Sequence, residues 1–481
     1  MVTSAYLRGV FHLRRPDAAR LPPKPVKSQA PDLDQNPKRE DVVLHLERDS
    51  LREELAVFVS QRQLTSLRIP LPRHWTMNHR ASLDAIAASV HGLTVAIDDD
   101  ALIASLPNTN DAPEVFVNVP ELAAKGRDSF VAHLRHDRMD SAGGHRVHML
   151  WDVAQLQSTN AHAFESVVGG EGGVYALSSS TSGAKVVMFK PTEEEVFVRE
   201  GLCAGEGAVR EEAAYVLDAA MGGFSGVPPT AVARLHMANC KRKKPSGTNN
   251  SGWFKLGAVQ RFMAPSAGSM EDFGMPHALE KAVQMASVDQ VHRIGLLDVR
   301  LFNTDRHGGN LLLLGKTAPY KLVPIDHGCI LPSWDRLSEA RLDWATYPQA
   351  QAPFSPAMRQ HVAALNASAD AHRLRRLGIR EECIATLSIC TLVLKTATLA
   401  GKSLAWIGAY LSRDGCFEAP SRLEEAIARA CTACDIPYLW TKNDHGEARF
   451  DVTDGILRRR PPNIFYTCLQ KAVTLDVTAT K

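Results

Sequence analysis

The sequence predicts an α+β chain in which two hairpins and one helix gather charged side chains, and three stretches carry that prediction. Residues 167–177 are apolar at both ends and glycine-rich between, and a second strand, residues 185–191, follows a Ser/Thr/Gly turn. Residues 205–218 read as a glycine-bearing loop entering a helix, with Glu211 early in it and Ala214, Tyr215 and Asp218 spaced to share its face. Residues 297–314 read as an apolar helix end, a polar loop and a short strand, and residues 322–328 as a partner strand ending on Asp326.

Composition bounds the rest. A chain of 481 residues exceeds one ordinary core, so two regions with tails are expected. The apolar content of 45% and charged content of 22% are those of a soluble globular chain. A net charge of +2 gives no overall steering toward nucleic acid. The nine cysteines begin only at Cys203 and follow no secreted framework, which points to reduced thiols in the cytoplasm, with a nuclear pool or an organelle address left open. Cys431 and Cys434 have metal-ligand spacing, but no second pair accompanies them, so they read as helix residues. No apolar run reaches the ~18 residues of a membrane span, and residues 387–411, broken by Lys395 and Lys402, read as a core helix or helix pair.

In order along the chain, residues 1–40 are a basic, Pro-rich leader unable to build a core. Its first sixteen residues lack an acid, as a transit peptide would, though a disordered basic leader is the preferred reading. Residues 41–150 form a small α+β accessory region, with a helical pattern over 42–61 and strands at 93–97 and 114–119. Residues 155–415 hold the chemistry, and residues 416–481 are a helical extension and tail.

The chemical reading starts from the loop at 303–310. Asp305 and His307 are acid/base candidates, while Asn310 and the strand-end Asp326 are hard-oxygen ligands that a hairpin can bring to one point, as phosphoryl transfer from Mg-ATP requires. Upstream, Gly169, Gly170, Gly172 and Gly173 let a hairpin tip approach phosphate closely, and Lys190 at the end of the next strand reaches the same phosphates. No Gly-Lys-Ser/Thr follows these glycines, which excludes a P-loop. Glu211 is placed to hold Lys190 in register. Residues 256–263 read as a strand running into a connector that carries Gln260, Phe262 and Met263.

Taken together in this order, Gly172-Gly173-Val174-Tyr175, Val187-Met188-Phe189-Lys190-Pro191, Gly205-Glu206-Gly207-Ala208-Val209-Arg210-Glu211, Gly226-Val227-Pro228-Pro229-Thr230, Asn303-Thr304-Asp305-Arg306-His307-Gly308-Gly309-Asn310, Pro324-Ile325-Asp326-His327-Gly328 and Trp344-Ala345-Thr346-Tyr347-Pro348-Gln349-Ala350 resemble the phosphatidylinositol 3-/4-kinase superfamily, most closely the plant-type gamma phosphatidylinositol 4-kinases, relatives of the type II enzymes. The resemblance implies a two-lobed kinase fold, with an antiparallel sheet in the N-lobe and a mainly helical C-lobe. It also implies ATP with Mg²⁺, or Mn²⁺ in its place. Lys190 would contact the phosphates and Glu211 would anchor it. Asn310 and Asp326 would hold the metal, Asp305 or His307 would act on the attacking hydroxyl, and the connector with Gln260, Phe262 and Met263 would bind adenine.

Phosphatidylinositol in a membrane surface is the acceptor that this resemblance implies, with phosphate going to the inositol 4-hydroxyl by a peripheral, cytoplasmic enzyme. A phosphoryl-transfer site is itself indifferent to the acceptor, so a protein Ser/Thr kinase with the same ATP site stands as the alternative. A nucleotide-binding pseudokinase scaffold stands third, opposed by the presence of Lys190, Glu211, Asp305, Asn310 and Asp326. Acceptor choice is expected to depend on residues 329–335. The cations Lys241, Arg242, Lys243 and Lys244 sit in an expected surface loop, where each would contribute roughly 1 kcal/mol toward anionic lipid if it met a membrane. The ubiquitin-like modules frequent in the gamma group have no recognisable counterpart in residues 41–150, so ubiquitin binding is not expected.

Overall fold

A computed structural model describes residues 66–70, 94–98, 101–105, 117–127, 144–159, 162–167, 173–195, 199–237, 254–413, 417–443 and 445–479. The leader, the helical pattern at 42–61, Gly169, Gly170, Gly172 and the basic run 241–244 lie outside them. Strands β1 (Ser66–Pro70), β2 (Thr94–Asp98) and β3 (Ala101–Ser105) form an antiparallel sheet in the order β1-β3-β2. Of the strand expected at 114–119, β4 (Val117–Asn118) is present, but Val119 already opens a helix, Val119–Ala124. An Asn118 side-chain hydrogen bond to Glu121 (2.9 Å) ties the strand end to that helix's first turn.

The functional half is built on a six-stranded sheet. Its remaining strands are β5 (His162–Ser166), β6 (Tyr175–Ser179), β7 (Lys185–Pro191), β8 (Thr230–His236) and β9 (Phe254–Arg261), in the order β4-β8-β9-β7-β6-β5, antiparallel except for β4 beside β8. Side chains alternate across a strand, so β7 serves two faces. Val187 and Phe189 are buried against helix α1 (His145–Ser158), which contributes Val147, Leu150, Val153 and Ala154 to the same core. Met188 and Lys190 therefore face the other way. On that second face Val232 and Ala258 meet Ala208 of helix α2 (Gly207–Ala219).

The other lobe is mainly helical, and the two-lobed architecture expected from the sequence is the one present. Helix α3 (Val288–Arg300), capped by Ser287, leads into the loop that carries Asp305. The hairpin β10 (Leu311–Leu314) and β11 (Lys321–Pro324) follows, with Leu311 opposite Pro324. The apolar stretch 387–411 is a helix pair, α4 (Glu381–Leu399) and α5 (Leu404–Leu411). Among the described residues α4 is the one helix long and apolar enough to cross a membrane, and 67% of that window is buried inside the protein. Cys383, Leu387, Cys390, Val393 and Leu394 are among the residues it buries.

Beyond these lie helix α6 (Arg422–Ala433), which opens on a capping box between Ser421 and Glu424, and the hairpin β12 (Tyr438–Lys442) and β13 (Ala448–Val452). The tail that reads as short and mixed in the sequence is the 17-residue helix α7 (Asn463–Ala479). It is anchored by Phe465, Leu469 and Val473, spaced four apart so that they share one buried face. Cys431 is buried near the end of α6 and Cys434 caps it, and no group of three or more His, Cys, Asp or Glu among the described residues could hold a metal ion.

Glu339 joins the segment after β11 to this C-terminal layer by accepting a hydrogen bond from the Arg413 backbone N–H (2.8 Å). Burial, helped by the nearby carboxylates of Glu424 and Glu447, outweighs Arg413 and pushes the Glu339 carboxyl up from 4.5 to about 7. The folded chain thus holds a proton in this window that the unfolded chain has released, so stability falls as pH rises from about 4.5 to about 7 and levels off above. Melting Glu339→Gln beside the parent between about pH 5 and about pH 8 should show a gain for the variant that grows with pH. A constant difference across that range would assign the slope to another group.

Candidate active site

Three elements meet at Lys190. Strand alternation turns its side chain to the α2 face, where Nζ lies 2.6 Å from Glu211 Oε1 and 2.9 Å from Asp326 Oδ1. Burial disfavours the ammonium, but Asp326 and Glu211 outweigh it and hold Lys190 above the ordinary lysine range. Glu211 is buried on α2. Its second oxygen accepts the backbone N–H of His327 (3.0 Å), so one carboxylate spans the lysine strand and the loop after β11. Burial would raise its value, yet Lys190 and the His327 hydrogen bond hold it below the usual carboxylate range.

Asp326 adopts φ 57°, the left-handed region that a non-glycine residue occupies at a cost of about 1–3 kcal/mol. That backbone turn carries the chain out of β11 with the carboxylate toward Lys190 and His327 N–H toward Glu211. The Asp326 side chain keeps 48% of its exposure, leaving oxygen accessible beside the lysine.

The Asp305 loop is fixed from beneath by a buried ion pair. Arg306 and Asp298 of α3 are both fully buried, with Nε at 3.1 and 3.0 Å from the two carboxylate oxygens. Asn303 Nδ2 and Trp344 Nε1, each at 2.9 Å, complete the hydrogen bonds to Asp298. The far end of Arg306 donates to the carbonyls of Asn310 (2.8 Å) and Ile325 (2.6 Å), so one guanidinium fastens both the loop and the strand that delivers Asp326. Above it, Asn310 Nδ2 donates to the Asp305 carbonyl (2.9 Å), which leaves the Asn310 side-chain oxygen as the ligand atom. His307 Nδ1 accepts the Gly309 N–H (3.2 Å), so in the neutral ring the proton sits on Nε2.

Gly173 is the described member of the glycine run, and a Cβ there would overlap the Glu194 carboxylate, which accounts for glycine at that position by packing. Gln260 lies on β9 with its amide donating to Thr230 Oγ1 (3.0 Å). Phe262 donates its N–H to Val186 O (2.9 Å), and Lys185 Nζ lies 5.4 Å from its ring centroid. That ring lines a cleft of about 400 Å³ with Asp152, Leu156 and Arg261, on the α1 side rather than beside Lys190. Met263 is half-buried just after β9. Of residues 329–335, Ile330, Leu331, Ser333, Trp334 and Asp335 are buried and Cys329 is half-buried.

Residues 195–407 match the family model for phosphatidylinositol 3- and 4-kinase. Over that stretch the chain is similar to that family. Among similar curated proteins, phosphatidylinositol 4-kinase gamma 7 of Arabidopsis thaliana is 34% identical over 59% of this chain and 46% of its own length. Phosphatidylinositol 4-kinase gamma 4 of Oryza sativa subsp. japonica is 35% identical over 51% and 44%. Phosphatidylinositol 4-kinase gamma 6 of Arabidopsis thaliana is 34% identical over 54% and 45%. The chain thus spans less than half the length of these relatives.

The site also contains contacts that sequence reasoning passed over. Arg306 was part of a matched stretch without a role of its own, and Asp298 and Arg199 were not singled out at all. Asp298→Ala should lower the unfolding free energy by about 3–5 kcal/mol in a denaturant titration, because it leaves a buried guanidinium unpaired. A loss under about 1 kcal/mol would mean that the pair does not hold the loop.

Proposed function

We propose that this chain is an ATP-dependent phosphotransferase that moves the γ-phosphoryl group to the inositol 4-hydroxyl of phosphatidylinositol, working peripherally at a cytoplasmic membrane face. The observation that carries the proposal is Lys190 held between Glu211 and Asp326, with Asp305 and Asn310 on the turn fastened to the same strand. The family of residues 195–407 and the names of the similar proteins support the lipid acceptor.

In this reading Lys190 stays paired with Glu211 and turns its charge to the nucleotide phosphates. The donor set suits Mg²⁺, since the Asn310 amide oxygen and the Asp326 carboxylate are hard ligands and phosphate and water oxygens would complete six positions. The bound metal would neutralise charge on the phosphates. The acceptor oxygen forms a bond to the γ-phosphorus, the bond from that phosphorus to the bridging oxygen of ADP breaks, and the hydroxyl proton passes to the Asp305 carboxylate. Asp305 is the better acceptor because His307 Nδ1 already receives the Gly309 N–H and its neutral ring offers an N–H from Nε2.

The test is transfer from labelled Mg-ATP to vesicles of phosphatidylinositol in phosphatidylcholine, with positional analysis of the headgroup. Label at the 4-position is expected, lowered at least about a hundredfold by Asp326→Ala and also lowered by Lys190→Ala. Label confined to protein would replace the lipid reading with a protein kinase. Full activity in Asp326→Ala would refute the site.

A further inference from the structure

Arg199 lies in the loop between β7 and α2, outside every stretch that suggested the site. Its guanidinium donates to the Asp305 carboxylate, with Nη2 at 2.6 Å from Oδ1, and to the carbonyl of Thr304 through its other terminal nitrogen. Two adjacent groups of the Asp305 loop are thus gripped by one planar fork, which a lysine could not reproduce.

The loop that delivers Arg199 is itself anchored. Gly201 adopts φ 74° and leaves no room for a Cβ against Arg336 O and Pro332, and its carbonyl accepts the Ser333 N–H (2.9 Å). Arg380 of the C-lobe donates to Gly201 O (3.3 Å) and to Glu206 (2.6 Å). On the other flank the Glu195 carboxylate accepts the backbone N–H groups of Gly205 (3.0 Å), Gly207 (3.2 Å) and Ala208 (3.1 Å) at the start of α2. Arg199 therefore comes from a loop fastened on both sides. Cys329, in the segment after β11, has its thiol pushed up to about 12 by burial, with Arg199 opposing and Asp305 adding to the effect, which puts all three groups in one locality.

We propose that Arg199 is a positioning residue for phosphoryl transfer, setting the Asp305 carboxylate toward the acceptor hydroxyl by holding one of its oxygens and leaving the other to take the proton. This rests on the phosphotransferase reading above. A loose phosphoryl-transfer transition state asks little of a base's strength and much of its position, so committing one oxygen to a guanidinium costs little and fixes the geometry.

The experiment uses the full chain with Mg-ATP and phosphatidylinositol vesicles, comparing Arg199→Ala, Arg199→Lys, Asp305→Ala and the double alanine variant. Arg199→Ala should lower kcat about ten- to a hundredfold, with the KM for ATP and the melting temperature little changed. Arg199→Lys should recover part of the loss. Added guanidinium should restore part of the activity of Arg199→Ala and none to Asp305→Ala. The double variant should be no slower than Asp305→Ala alone, since the arginine acts through that carboxylate. An unchanged kcat in Arg199→Ala, or the same fold-loss in the Asp305→Ala background, would overturn the assignment while leaving the phosphotransferase intact. A parent chain that transfers label to neither lipid nor protein overturns both.

Discussion

The buried pair of Arg306 and Asp298 is the constraint on which the active-site geometry depends. A guanidinium and a carboxylate without solvent are costly to bury singly, and here each is nearly surrounded by partners: Asn303 and Trp344 on the acid, two backbone carbonyls on the base. Because those carbonyls belong to Asn310 and Ile325, satisfying the arginine fixes the loop with Asp305 against the strand with Asp326. In the proposed reading the base and the metal ligands would thereby be positioned before any nucleotide arrives, which is what a reaction run by placement rather than covalent chemistry needs.

Glu211 performs the corresponding task between the lobes. Its two oxygens serve Lys190 and the His327 N–H, so α2 cannot swing away without breaking both. Arg210, the residue before it, is buried and donates to the carbonyls of Ile330 and Leu331 and to Glu206, which pins the same helix to the segment after Asp326. The left-handed backbone at Asp326 is one strained point in this arrangement, beside Phe302 and Leu331, and it sits where the strand must stop and present its carboxylate.

Much of this was legible because the contributing signals are local. Strand alternation around Lys190, the early helical position of Glu211 and the paired apolar strands around Asp305 and Asp326 can each be read within about ten residues. The locks were not legible for the opposite reason. Asp298 and Arg306 are eight residues apart across a helix end and a loop, and no periodicity links them; Arg199 reaches Asp305 across 106 positions. Helix α7 was hidden because its buried face, Phe465, Leu469 and Val473, is interleaved with polar residues and forms only against α4 and α6. Within the run 329–335, Trp334 packs against Phe450 and Phe465 (centroids 6.4 and 5.1 Å), contacts that only the C-terminal layer supplies.

In the proposed site Asn310 and Asp326 form the metal edge of a nucleotide site whose phosphates face Lys190. The direct measurement is a crystal structure of the full chain with a non-hydrolysable ATP analogue and Mn²⁺, located by its anomalous scattering. Metal bound by the Asn310 side-chain oxygen and Asp326 is the expected result, with the Lys190 ammonium on a phosphate and still paired with Glu211. Nucleotide bound elsewhere, or metal away from both ligands, would contradict it.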